Sequence, residues 1–139
     1  MKLSTLPILV LGVAFACAIP AAADVSVKEI LLEKKGKEIN VRVTVDNPAS
    51  STQRGPVKVT LWVRPDSNAS WQNIKNWDDI AEIKSGQKIS RDLFAQNSQE
   101  LRKVSSNPNW EAKATVDAPG AQSDTKTVVN KGDAGSGNR

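Results

Sequence analysis

The chain has 139 residues, with 19 Lys and Arg against 15 Asp and Glu, four Trp, one Cys, one Met, and neither His nor Tyr. A lone cysteine excludes an internal disulfide scaffold, and the missing imidazole removes the commonest acid–base and metal-ligating side chain. The small positive excess is spread along the chain and forms no basic stripe, which argues for a solvated surface and against a nucleic-acid partner.

At the N-terminus, Lys2 precedes an apolar run from Leu6 to Ile19. Pro20 breaks that run, and Ala21-Ala22-Ala23 supplies small residues before Asp24. A positive end, a short apolar centre and an A-x-A site are the parts of a secretory signal, predicted to be cleaved after Ala23. As a helix the run would reach roughly 21 Å, short of the ~30 Å hydrocarbon core, so no integral membrane span is expected. Cys17, after Ala14-Phe15-Ala16, lacks the branched aliphatic of a lipobox and is read as part of the signal, not as a lipid anchor. Residues 24–139 then carry 18 basic and 15 acidic side chains, net +3, and no Cys or Met. The predicted location is periplasmic or secreted.

Period-2 patterns dominate the rest. A first strand runs from Val25 to about Leu32, and Lys34-Lys35-Gly36-Lys37 makes a turn. Ile39, Val41, Val43 and Val45 alternate with polar residues, as a half-buried antiparallel strand requires. Asn47-Pro48 ends it. After a polar loop, Val57, Val59, Leu61 and Val63 face inward while Lys58, Thr60, Trp62 and Arg64 face outward. The stretch Trp71–Asp79 is ambiguous: Trp71, Ile74, Trp77 and Ala81 fall at helical spacing, yet the segment could equally be an edge strand.

Ile80–Lys84 and Lys88–Phe94 read as strands about a Ser85-Gly86 turn. Asn97-Ser98-Gln99-Glu100 fits a capping box with Asn97 as N-cap, predicting a short helix over 98–104. Trp110, Ala112, Ala114 and Val116 mark another strand, with Trp110 in the core phase, and Thr125–Asn130 a last one. Residues 132–139 are Gly/Ser/Asn-rich and are predicted to be a disordered tail. The domain therefore spans 24–131. About seven short strands with regular turns predict an all-β, antiparallel β-sandwich of the immunoglobulin-like kind.

The run Val41–Asn47, the run Val57–Val63, Ile80–Gly86 and Trp110–Asp117 together resemble the bacterial cell-adhesion-related (CARDB-type) immunoglobulin-like domain. The resemblance covers roughly residues 25–130. Asn47 is followed by Pro48-Ala49 where that family usually has Asn-x-Gly. The resemblance implies a sandwich used as an adhesive or spacer module in the bacterial envelope, and it lends no catalytic residues.

Catalytic chemistry is poorly served. Without His or Cys beyond the signal there is no triad or thiol nucleophile. Asp78-Asp79 is the one close acidic pair and reads as turn chemistry. No Asp-x-Asp-x-Asp-Gly loop suggests calcium, although Asp117 and Asp124 could meet near Asp46 across the last hairpin. The chain is therefore read as a non-enzyme with no metal or cofactor.

The tryptophans are more informative. Trp62 lies on the outward phase between Lys58, Thr60 and Arg64, where an indole and a guanidinium can stack. Trp62, Arg64, Trp71 and Trp77 are the candidate binding residues, since Trp and Arg are common interface anchors. Alternatively, the Pro65–Asp79 excursion folds back and covers Trp62 with Trp71 or Trp77. Two functions follow: docking of an envelope or secreted protein partner, or binding of a carbohydrate or small ligand on exposed indoles.

Overall fold

The computed structural model describes residues 24–36 and 38–130. The expected signal at 1–23 and tail at 132–139 lie outside them. Seven strands form among the described residues: β1 (Ser26–Lys35), β2 (Glu38–Asp46), β3 (Gln53–Arg64), β4 (Gln72–Ile83), β5 (Lys88–Phe94), β6 (Glu111–Asp117) and β7 (Asp124–Val129). A 3₁₀ turn (Ala95–Asn97) and helix α1 (Gln99–Ser105) connect β5 to β6.

The strands make two antiparallel sheets, one ordered β1-β2-β5 and the other β4-β3-β6-β7. The chain crosses between sheets after β2, after β4 and after β5. This is the Greek-key connectivity of an immunoglobulin-like sandwich, the fold expected from the alternating strands. No helix among the described residues is long and apolar enough to cross a membrane.

Alternation puts one face of each central strand into a shared core. Val41, Val43 and Val45 of β2, Val57, Val59, Leu61 and Val63 of β3, and Ala112, Ala114 and Val116 of β6 are all buried. Trp110 is buried at 1% exposure, as its phase predicts. Leu101 and Val104 of α1 join the same cluster, and α1 packs against β2 and β3.

One ambiguity is resolved and one local expectation is corrected. The ambiguous stretch takes its edge-strand reading: Gln72–Ile83, which also takes in most of the expected Ile80–Lys84 strand, is one long strand, β4, at the edge of its sheet, and its helical look has a cause in the pairing. Register shifts against β3 fall between Arg54 and Val57, Val57 and Val59, and Leu61 and Trp62. Each shift is a bulge that breaks strict alternation, so Ile74, Trp77, Ile80 and Ile83 turn toward the core every third residue. Gly55 sits in the first of these. A Cβ there would stand 2.4 Å from the Ala81 carbonyl oxygen and 2.8 Å from that of Ile80, so only glycine permits the approach.

The correction concerns α1. Its N-cap is Ser98, not Asn97: the Ser98 Oγ accepts the Leu101 N–H at 3.1 Å. Leu101 and Val104, three residues apart, share the buried face of the helix, and Asn97 is taken up by the 3₁₀ turn that precedes it. Arg102 holds that turn to the helix by donating from Nη1 to the carbonyls of Ala95 and Gln96.

One end of the sandwich is organised by Asn47, which is 1% exposed. Its Nδ2 donates to the carbonyls of Ser51 and Ile83, each at 2.8 Å, and its Oδ1 accepts from the Ala49 N–H at 3.0 Å. Its backbone N–H donates to the Gln87 carbonyl, and its carbonyl accepts from Gly86. A single amide thus ties the β2–β3 loop to the β4–β5 turn. Gly86 reaches φ +76° in that turn, a left-handed conformation glycine adopts without steric cost.

Candidate functional site

The outward face of the four-stranded sheet carries the aromatic cluster. Register places Arg64 opposite Glu111 and Trp62 opposite Lys113 across β3 and β6. On the far side of β6, Glu111 faces Val129 and Lys113 faces Thr127. Trp71 lies at the end of the β3–β4 connection, just before β4. Because residues directly opposite on one face are close neighbours, these side chains must meet.

They meet as a ladder. The Arg64 guanidinium carbon stands 4.1 Å from the Trp71 ring centroid. The Lys113 Nζ is 4.7 Å from Trp71 and 4.8 Å from Trp62. The order is therefore Trp62, Lys113, Trp71, Arg64, with each cation on an aromatic face, where the ring quadrupole attracts it.

Glu111 anchors the end. Its Oε1 accepts from Arg64 Nε at 2.9 Å and from Nη2 at 2.8 Å. The Glu111 side chain is 8% exposed and that of Arg64 21%. A carboxylate this deep depends on its partner, since an unpaired buried charge is strongly disfavoured. Arg64 Nη1 also lies 3.4 Å from the Ala69 carbonyl, which draws the β3–β4 connection over the pair.

Three of the four sequence-predicted residues, Trp62, Arg64 and Trp71, are brought together. All three are half-buried. Trp77 is not with them: it is 9% exposed and belongs to the core. The reason is the β4 register, which pairs Trp77 with the inward Val59. Trp62 thus faces Lys113, which stands between it and Trp71, and does not meet Trp77. Lys113 is the member that sequence reasoning missed. Its signal was available only in part, as an outward polar residue on a clean strand, because its pairing with Trp62 depends on register.

Around the ladder the face is polar and already bonded. Asn73 donates from Nδ2 to the Leu61 carbonyl at 3.0 Å, and Asn76 Nδ2 donates to Asn73 Oδ1 at 3.1 Å. The hydroxyls of Thr115 and Thr125 bond each other at 2.8 Å.

The carboxylates considered for metal binding are dispersed over separate tasks. Asp46 accepts from the Ser26 hydroxyl, Asp124 from the Val27 N–H, and Asp117 from the Ser123 hydroxyl. Among the described residues no three His, Cys, Asp or Glu side chains converge. Asp79 of the acidic pair bonds Arg91 across the open flank between β4 and β5. That hydrogen bond from Arg91 holds the Asp79 carboxyl below its ordinary range. An open cleft of about 580 Å³ lies between α1 and the β3–β4 connection, lined by Pro65, Gln72, Gln99, Lys103 and Asn107 among others. None of the ladder residues lines it.

No family model matches the chain, and no curated protein matches it. Solved structures do. The archaellum periplasmic stator complex of FlaF and FlaG from Sulfolobus acidocaldarius aligns at TM-score 0.46 and 8% identity, over 76% of this chain and 88% of that one. The sporulation control protein Spo0M from Bacillus subtilis aligns at TM-score 0.45 and 14% identity, over 76% of this chain and 48% of that one. A superoxide reductase in the oxidised state aligns at TM-score 0.49 and 12% identity, over 77% of this chain and 89% of that one. These are likenesses in strand arrangement, and no residue role passes from them to this chain.

Proposed function

We propose that this chain is an exported, non-catalytic interaction module that docks a partner protein of the bacterial envelope on the outer face of its four-stranded sheet. Trp62, Arg64 and Trp71 are its contact residues, with Lys113 between the indoles. The observation that carries this reading is the ladder itself. Two indoles and two cations are fixed in one stack on an outward face, so their rotamer entropy is already spent before a partner arrives. Large aromatics held rigid beside an arginine are the composition of interface hot spots. The expected secretory signal and the resemblance to CARDB-type domains support an adhesive role in the envelope.

Carbohydrate binding on the same indoles is the weaker reading. Lys113 fills the gap between Trp62 and Trp71, and the neighbouring amides and hydroxyls are bonded to each other, so a sugar ring would have to displace internal contacts. A photo-crosslinking residue placed at Thr127, on the ladder face, in cells exporting the full chain tests the reading. Discrete protein adducts are expected from position 127 and background alone from Ser50, in the exposed β2–β3 loop. Equal adduct patterns at both positions would contradict it.

A further inference from the structure

The two outer faces of the sandwich differ in charge, and together they carry the three large apolar side chains most open to solvent: Leu31 at 38%, Phe94 at 41% and Val129 at 43%. On the three-stranded sheet, Asp46 pairs across to Lys88 at one end, and beyond them register aligns Glu29, Thr44 and Ser90 in one row. Leu31, Arg42 and Asp92 form the next, and Glu33, Asn40 and Phe94 the third. Three carboxylates thus surround one guanidinium, and two exposed apolar side chains stand among them. Arg42 is bonded to Asp92 at 2.8 Å. Its charged form is favoured first by the Asp92 hydrogen bond and charge, then by the fields of Glu33 and Glu29.

On the four-stranded sheet the balance turns on Lys113. Lys58, Arg64 and Lys113 stand outward with Trp62, Trp71 and Val129. The Glu111 carboxylate is occupied by Arg64, and Asp117 lies opposite Lys58 and accepts from Ser123. Among the described residues Lys113 has no carboxylate within ion-pairing distance, and its ammonium is held only by indole faces. A partner offering carboxylates beside apolar side chains would complement this face, and the far side of the same molecule does so.

We infer that copies of this chain associate head to tail, the β1-β2-β5 face of one, with Glu29, Leu31, Glu33 and Phe94, seating on the Trp62–Lys113–Trp71 face of the next. This rests on the ladder face being a protein-docking face, and it names a second copy as the occupant. The contact is heterologous, because two different patches meet. It therefore does not close on a dimer and can extend. Faces three and four short strands wide sit at the small, transient end of specific interfaces. Association then depends on concentration and, being between exposed charges, on salt.

Sedimentation equilibrium on protein purified after export of the full chain reads this directly. The wild-type average mass is expected to rise to about twice the monomer or more with concentration in about 20 mM salt, and to return to the monomer in about 0.5 M salt. Glu29→Gln/Glu33→Gln and Lys58→Gln/Lys113→Gln each lose one face and are expected to stay monomeric. Mixed one to one, each supplies the face the other lacks, so the mixture should reach a dimer and stop. Should the lysine variant fold poorly, the glutamate variant decides alone, since its positions touch neither ladder nor core.

A wild type that remains monomeric overturns the inference, as does association insensitive to salt. Association of the glutamate variant equal to wild type also overturns it, as does a mixture that stays monomeric or grows past the dimer. A monomeric wild type that still gives Thr127 adducts with another protein removes self-association and leaves ladder-face docking standing. A monomeric wild type with no such adducts removes both.

Discussion

The end of the sandwich around Asn47 and the outer face around Trp71 both tie the chain's long connections down with polar side chains, but they do it in different ways. Asn47 is sealed, and its amide and backbone groups bond to partners inside the protein. The ladder is half-open. Arg64 is neutralised by Glu111, while Lys113 keeps its ammonium against two indoles with no carboxylate partner among the described residues. A saturated buried network specifies structure and has nothing left to offer a ligand. A rigid stack with one cation unmatched holds its shape and retains something to offer. The difference is what marks the second region, and not the first, as a site.

Three changes sharpen this contrast. The largest loss of stability is expected from Asn47→Ala, which removes three side-chain hydrogen bonds around buried backbone groups. At about 1 kcal/mol each this is about 3 kcal/mol, a fall in melting temperature of roughly 10–20 °C. Crosslinking at Thr127 should be unchanged below the melt. A variant as stable as wild type would show that the loop and turn hold without the amide.

Glu111→Ala comes next. It leaves Arg64 without its carboxylate, but that guanidinium can still reach water, so about 2 kcal/mol is expected from denaturant melts. Unlike Asn47→Ala, it should also disturb the ladder, seen as a change in tryptophan fluorescence at temperatures where the fold is intact. An unchanged spectrum would mean that Trp71 is held by something other than the Arg64 stack.

The smallest effect belongs to Asp79, which closes the flank between β4 and β5. Its folded carboxyl titrates below its unfolded value because Arg91 donates to it. The stability it adds is therefore present above the unfolded value of about 4 and is lost as pH falls through the depressed folded value. The gap between wild type and Asp79→Asn in thermal melts should be constant near neutrality and close in acid. A gap that widens in acid would contradict the assignment.

How much of this was legible in the sequence follows from the pairing. Where strands run without interruption, at Ile39–Val45, Val57–Val63 and Trp110–Val116, alternation identified the core face, and the outward phase of Trp62 was read correctly. Where bulges intervene, the code changes. Register shifts turned β4 into a strand with a three-residue repeat, which resembles a helix and placed Trp77 with Trp71 when it packs beside Val59. The N-cap was displaced by one residue because Asn97 and Ser98 are both good caps, and Asn97 is taken up by the 3₁₀ turn before the helix. Lys113 could be recognised only as an outward polar residue of its strand. Its importance lies in standing opposite Trp62 and beneath Trp71, which are contacts between segments about 40–50 residues apart in sequence. The Glu111–Arg64 pair was hidden for the same reason.

The claim that the ladder is a docking face is tested most directly by comparing envelope crosslinks of the exported wild type with those of Trp62→Ala/Trp71→Ala. Truncating both indoles should cost only about 1–2 kcal/mol in cation–π stacking, beyond lost packing, so the sandwich should still melt cooperatively. Loss of the adducts formed at Thr127, in a variant that still shows a folded melt, is the expected result. The same adducts at the same yield in that folded variant would contradict it.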